Sequence, residues 1–369
     1  MAPGEAVSAA DGRRRARANR GAARRCIGNK GFLRLRVRGV AFTSPGLPAT
    51  IPPPRVDRKG GSHRVTPVTS VIPVFAVIAL GWVANRFWRF GPEFRSQANA
   101  LVYYLAVPVL ILVSVEKAPF REAFSARSVV AVVVAVGISW LLALAAGKML
   151  GLTGGRLGTF LQSSFHSNTG YVGLAMAFYA LGTPGLRKAG TLAGFLILTN
   201  NSLSLLSLLW TAGGPAGQRK WHAAKALLVN PILWAAFAGL LLSASGVGIP
   251  EVVGKSLDIV ASLSLPMALI LIGASLSRES MAGVGIPSLV VSAFKLAILP
   301  AVGYALLTQL GLPPLDRAVG VVLLAAPTAT LSYVMAGELG GDTELASGAV
   351  SVTTIISALT YPLWIALLT

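Results

Sequence analysis

Residues 163–173 read Ser-Ser-Phe-His-Ser-Asn-Thr-Gly-Tyr-Val-Gly, a polar knot inside a long apolar run. A second interruption stands at Pro327-Thr328, inside Ala-Ala-Pro-Thr-Ala-Thr at 325–330. Glycine costs about 1 kcal/mol in a helix interior and proline about 3 kcal/mol. Proline also frees a carbonyl one turn back. Each interruption is expected to end one helix and start another. A helix start carries free N–H groups and partial positive charge, which suit an anion. Asn168, Thr169, Gly170 and Tyr171 at the first break, with Pro327 and Thr328 at the second, are therefore the residues expected to hold a substrate or coupling ion. For either break alone the alternative is a tolerated kink, with Ser and Thr bonding back to freed backbone.

Further polar residues sit at depth in apolar segments. Lys295, in Ser-Ala-Phe-Lys-Leu-Ala-Ile-Leu-Pro, is the one charge well inside such a segment. It can balance a substrate carboxylate or fill the place of a cation; with its head nearer one end it can snorkel to the interface. His166 precedes the first break by two residues and has a side chain able to titrate near neutral pH. Proton coupling and a neutral, hydrogen-bonded core histidine are both open for it. Asn200, Asn201, Thr353 and Thr354 either line a cavity or bond neighbouring helices to one another.

The elements that must position these groups follow from composition. The 369 residues are 54% apolar and 12% charged, with a mean hydropathy of +0.69. A soluble domain carries about twice that charged fraction. Apolar blocks long enough for a bilayer, about 20 residues each, recur near 68–88, 98–115, 128–148, 157–181, 189–211, 226–245, 257–276, 286–308, 318–338 and 346–368. The chain thus reads as an all-α polytopic membrane protein of ten spans, with the lipid bilayer as its surroundings. Spans 4 and 9 carry the two interruptions.

Residues 1–66 differ from the rest. They hold fifteen of the 32 Lys and Arg residues and three of the 13 Asp and Glu. Their Arg-rich, Pro/Gly-rich composition reads as a disordered basic tail or as translation from an upstream start. The formal charge of +19 is concentrated there, and nucleic acid is not an expected partner. Beyond the tail, the odd linkers carry nine Lys and Arg and the even ones seven, which places the start of span 1 weakly outside. One cysteine, Cys26, excludes a disulfide framework, and three scattered histidines show no metal-ligand spacing, so no metal or cofactor is expected. Gly248 and Gly254 are one residue too far apart for a phosphate loop. No nucleophile–base arrangement or carboxylate pair within the spans suggests catalysis.

The numbering contains an internal repeat. Pro73 and Pro231 differ by 158, as do Gly81 and Gly239, Pro108 and Pro266, Gly182 and Gly340, and Gly190 and Gly348. Near the breaks the offset becomes 162, where Gly158 meets Gly320 and Tyr171 meets Tyr333. Two five-span copies must insert in opposite orientations, the inverted-repeat plan of many secondary transporters. The organisation expected is a tail at 1–66, a first repeat at 67–212, a loop at 213–225 and a second repeat at 226–369.

Ser-Asn-Thr-Gly-Tyr-Val-Gly-Leu at 167–174, Gln-Ala-Asn-Ala-Leu-Val-Tyr-Tyr at 97–104 and the run 325–368 resemble the auxin efflux carrier family over about residues 68–369. The resemblance implies ten spans as two inverted repeats, with broken spans 4 and 9 crossing near mid-membrane. It also implies permease or efflux transport of small organic anions by an elevator movement, in the plasma membrane. Auxin-like monocarboxylates and malonate-like dicarboxylates are the substrates it suggests, with proton coupling and a homodimer as accompanying expectations. The chain departs from the pattern at Ala175 and Thr328, where many members have proline. A sodium-coupled symporter of the bile-acid type is the alternative within transport, although neither break carries an acid. A non-transporting membrane sensor or assembly subunit is the alternative outside it.

Overall fold

The computed structural model describes residues 67–88, 90–118, 124–212, 230–276 and 284–368. The expected tail at 1–66 and the whole of the loop at 213–225 lie outside the described residues. The regular structure described is helical, apart from one isolated antiparallel bridge between Ser167 and Thr328.

In chain order the helices are α1 (Pro67–Trp88), α2 (Glu93–Glu116), α3 (Ala126–Met149), α4 (Gly154–Phe165) and α5, a π turn Thr169–Gly173 that runs on into Leu174–Ala212. Then come α6 (Pro231–Ser245), α7 (Glu251–Ser275), α8 (Ile286–Gln309), α9 (Pro314–Leu324), α10 (Leu331–Leu339) and α11 (Thr343–Leu368). Seven of these, α1, α2, α3, α5, α7, α8 and α11, are long and apolar enough to cross a membrane. The ten spans read from the sequence meet this count differently for two reasons. First, α6 has only 15 residues. Second, expected spans 4 and 9 are each divided. The first half of span 4 is α4; its second half is the start of α5, which continues into span 5 through a kink.

That kink is at Gly182, with φ 68° and ψ −165°, a conformation closed to L side chains at reasonable cost. Gly340, 158 positions later, closes α10 with φ 78°. Other boundaries have side-chain causes. Ser125 caps α3 by accepting from Ser128 N–H at 3.2 Å. Asn230 caps α6 by accepting from Ile232 and Leu233 N–H, and Pro231 opens the first turn, where its missing N–H costs nothing. Asp342 caps α11 through Leu345 N–H at 2.9 Å.

Two helix pairs pack backbone to backbone. A Cβ on Gly81 of α1 would strike the carbonyl oxygen of Ile270 in α7, and one on Gly273 of α7 would strike that of Ile78 in α1. Likewise a Cβ on Gly239 of α6 would crowd Val115 and, at 3.1 Å, the carbonyl of Leu112 in α2. Gly81 and Gly239 differ by 158, and so do Leu112 and Ile270. A similar exchange recurs nearby, with donors 158 apart and acceptors 156 apart: Asn85 Nδ2 donates to Ala274 O at 3.0 Å, and Ser243 Oγ donates to Ala118 O. Small residues permit such approach where apolar lipid supplies no drive to bury apolar side chains.

Gly273→Val is expected to lower the SDS-unfolding stability of the purified protein by roughly 1–3 kcal/mol, since overpacking here meets main chain. Gly137→Ala in α3, where a Cβ meets nothing within 4 Å, is expected to be neutral or stabilising by up to about 1 kcal/mol. Equal behaviour of the two variants would contradict the packing described.

Candidate functional site at the paired helix breaks

The two interruptions are one site. Asn168 N–H donates to Pro327 O at 2.7 Å and Ala329 N–H donates to His166 O at 2.8 Å, so the two extended segments form a short antiparallel ladder. Asn168 O accepts in turn from Val172 and Gly173 N–H, which starts α5. The first break therefore lies at 166–168, slightly earlier than the Asn-Thr-Gly triplet expected; Thr169 and Gly170 already belong to the π turn. The second occupies 325–330, centred on Pro327 and Thr328 as expected.

Side chains complete the ladder. Thr328 N–H donates to Thr353 Oγ1 at 3.0 Å, and Thr328 Oγ1 donates to Ser163 O at 2.8 Å. Thr353 Oγ1 itself donates back to Ala349 O at 2.7 Å. Thr354 Oγ1 donates only to the carbonyls of its own helix, at Val350 O. Thr169 Oγ1 bonds Ser167 O at 3.3 Å. Tyr171 OH donates to Asn99 Oδ1 of α2 at 2.7 Å, and a Cβ on Gly170 would have Ile232 of α6 at 3.7 Å. The side-chain amide of Asn168 takes no part in capping α5 and has no hydrogen-bond partner among the described residues.

Lys295 joins the same place. It is fully buried, so it does not snorkel, and its Nζ donates to Leu324 O at 2.5 Å. Ser167 Oγ reaches that carbonyl as well, at 3.4 Å. Leu324 ends α9, and the carbonyls there lack intrahelical partners because Pro327 has no N–H and Thr328 N–H is turned to Thr353. Tyr361 OH serves the neighbouring Val322 O at 3.1 Å. Lys295 sits in a π turn, Phe294–Ile298, just before Pro300. The carbonyl that Pro300 leaves without a donor, Leu296 O, accepts from Trp364 Nε1 at 2.8 Å.

His166 is buried, with Nδ1 3.1 Å from Ser204 Oγ. Asn200, Asn201 and Ser204 fall on one face of α5 by their i, i+1, i+4 spacing. Asn200 is fully buried, and neither its Oδ1 nor its Nδ2 has a partner among the described residues. Ser204, Asn99 and Trp364 are contributors that sequence reasoning missed, while Ser163 stands in the polar knot without having been assigned a role. Of the three, only Ser204 left a signal, its helical spacing from Asn200. Around the ladder, then, lie the first turns of α5 and α10, one buried lysine amine and several amide and hydroxyl groups without partners among the described residues, an arrangement suited to a small anion with polar substituents. Among the described residues no three His, Cys, Asp or Glu side chains gather as a metal site would need.

A cavity lies elsewhere, at the first turns of α3 and α9, lined by Ser125, Ser128, Lys188, Thr191 and Asp316. There Lys188 Nζ pairs with Asp316 at 2.7 Å and Ser128 Oγ donates to the same carboxylate at 3.2 Å. Asp316 is eight residues from Leu324, about 12 Å along a helix, so this ion pair stands apart from the ladder.

Thr353→Val is expected to cost roughly 1–3 kcal/mol in SDS unfolding because it leaves the buried Thr328 N–H unpaired. Thr354→Val, which removes only a bond to its own helix, is expected to cost less than about 1 kcal/mol. A reversed order would contradict this assignment of the two threonines.

Comparison with known proteins agrees with a carrier. The family model described as membrane transport protein matches residues 66–209 and 221–365. A protein of Methanothermobacter thermautotrophicus named "Uncharacterized transporter" is 25% identical over 296 residues, covering 80% of this chain and 96% of that one. One of Rhizobium meliloti named "Putative malonate transporter" is 24% identical over 303 residues, 79% of this chain and 92% of that one. A further transporter, of Methanocaldococcus jannaschii, is 24% identical over 309 residues, 81% of this chain and 97% of that one. The chain is a multi-pass membrane protein of the membrane transport protein family, to which the auxin efflux carriers belong, and a transporter rather than an enzyme.

Proposed function

We propose that the chain is a secondary transporter of small organic anions, with ten spans arranged as two inverted five-span repeats. The observation that carries this reading is the ladder between Ser167 and Thr328, which brings the first turns of two helices to one place. Asn168, Thr169, Gly170 and Tyr171 would meet the anion from one side and Pro327 and Thr328 from the other, with Lys295 as counter-charge. Asn200 and Asn201 would offer their amides to the anion beside them, and His166 would add its ring to that polar lining. The exchanged contacts Gly81–Ile270 and Gly239–Leu112, related by the same offset of 158, support the repeat. An odd number of spans per copy then dictates opposite orientations.

The same contacts support a division of labour. Expected spans 1, 2, 6 and 7 pack through glycines as a scaffold, while spans 3–5 and 8–10 hold the ladder and would move past it in an elevator. Gly170 against Ile232 and Tyr171 against Asn99 are then contacts across the moving boundary. The substrate class takes support from the relative named for malonate, and the polar character of the site fits carboxylates generally.

Counterflow of labelled carboxylates in proteoliposomes tests the reading. Asn168→Ala is expected to abolish counterflow while expression and unfolding stability stay near wild type, because the ladder uses the Asn168 main chain and leaves its amide free. Wild-type counterflow in that variant would remove Asn168 from the site.

A further inference from the structure

Lys295 is fully buried and has one protein acceptor among the described residues, Leu324 O, where its charged form would carry three donors. No carboxylate pairs with it among the described residues. The surrounding elements explain why. α8, α4 and α3 carry no acid; α4 brings His166 at its end and Arg156 in its first turn, and α3 carries Arg127 and Lys148 near its ends. α11 brings Tyr361, whose hydroxyl is given to Val322 O, and Glu344 in its first turn. The acid of α9, Asp316, is in its first turn and held by Lys188. His166 differs from Lys295 in having a neutral partner, Ser204 Oγ, for its ring.

We propose that Lys295 couples anion binding to a proton. Its Nζ takes up one proton from water on the side where the anion enters, and releases it on the other side when the anion leaves. The inference rests on the anion-carrier reading above. A buried charge is costly without a partner, and the arriving carboxylate is the partner this site lacks. Conversely, a carrier returning empty with a bare ammonium would move net charge through the membrane potential. One proton per anion follows, so a monocarboxylate crosses with no net charge and a dicarboxylate with one negative charge fewer than it bears. Because binding takes up a proton, affinity must fall as pH rises, by up to about tenfold per unit.

Calorimetric titration of the full chain with malonate and with indole-3-acetate, in buffers of different ionisation heat, counts the protons. Wild type is expected to take up about one proton per anion bound. Lys295→Arg, which keeps the charge permanently, is expected to bind with no uptake and no pH dependence of affinity. Lys295→Met is expected to take up none and to bind at least about tenfold more weakly. Absence of uptake in wild type, or undiminished uptake in Lys295→Arg, would overturn the proposal; a merely structural lysine predicts the former. Counterflow that proceeds without proton uptake would overturn the coupling and leave the carrier standing, whereas no counterflow of any carboxylate would remove both.

Discussion

Main chain that leaves a helix inside hydrocarbon must find new hydrogen-bond partners, and everything at the centre of this protein answers that demand. Two helices stop at Phe165 and Leu324, and each exposes carbonyls that its own helix can no longer satisfy. The ladder between 166–168 and 327–329 resolves part of the problem by letting each interruption satisfy the other. Neither break is tolerable alone in this form, because the donor and acceptor it needs are on its counterpart.

The remaining groups at the break are met by side chains from surrounding helices, and these fix which residues are polar at depth. Tyr361, Ser167 and Lys295 reach the end of α9, Thr353 receives the redirected N–H of Thr328, and Trp364 fills the carbonyl left by Pro300. Polar residues that look scattered along the chain thus converge on a few backbone atoms. Among the described residues the groups left over include the Asn168 amide, both polar atoms of Asn200, Ser163 Oγ and Asn201 Oδ1, and under the proposed function these and Lys295 are what a substrate would engage.

Much of this was legible from residue type and spacing. The interruptions are visible because glycine, asparagine and proline are costly in an apolar helix, and a repeat is expected because glycines and prolines recur at offsets of 158 and 162. What could not be read is which atoms pair across some 160 residues of chain. The first break shifted from Asn168–Gly170 to 166–168 because Asn168 N–H is taken by Pro327 O, while a π turn accommodates Gly170. Thr328, a departure from the proline common in the family, is explained once Thr353 is seen beside it: its N–H is a donor that proline would not have. The position of Lys295 in an apolar segment marks it as unusual, but snorkelling is excluded only by its complete burial against the end of α9.

The pairing of the two breaks can be measured without knowing any substrate. Residues opposed in an antiparallel bridge have Cα atoms about 4.5–5.5 Å apart, within the range a disulfide spans. The chain has one native cysteine, Cys26, so a Cys26→Ser background allows Ser167→Cys and Thr328→Cys to be introduced as the sole thiols. Oxidation of that protein should join the two segments, seen as a linked peptide pair after digestion and as loss of thiol labelling. Two thiols that stay free under oxidation would mean that the interruptions do not meet, and would contradict the account at its root.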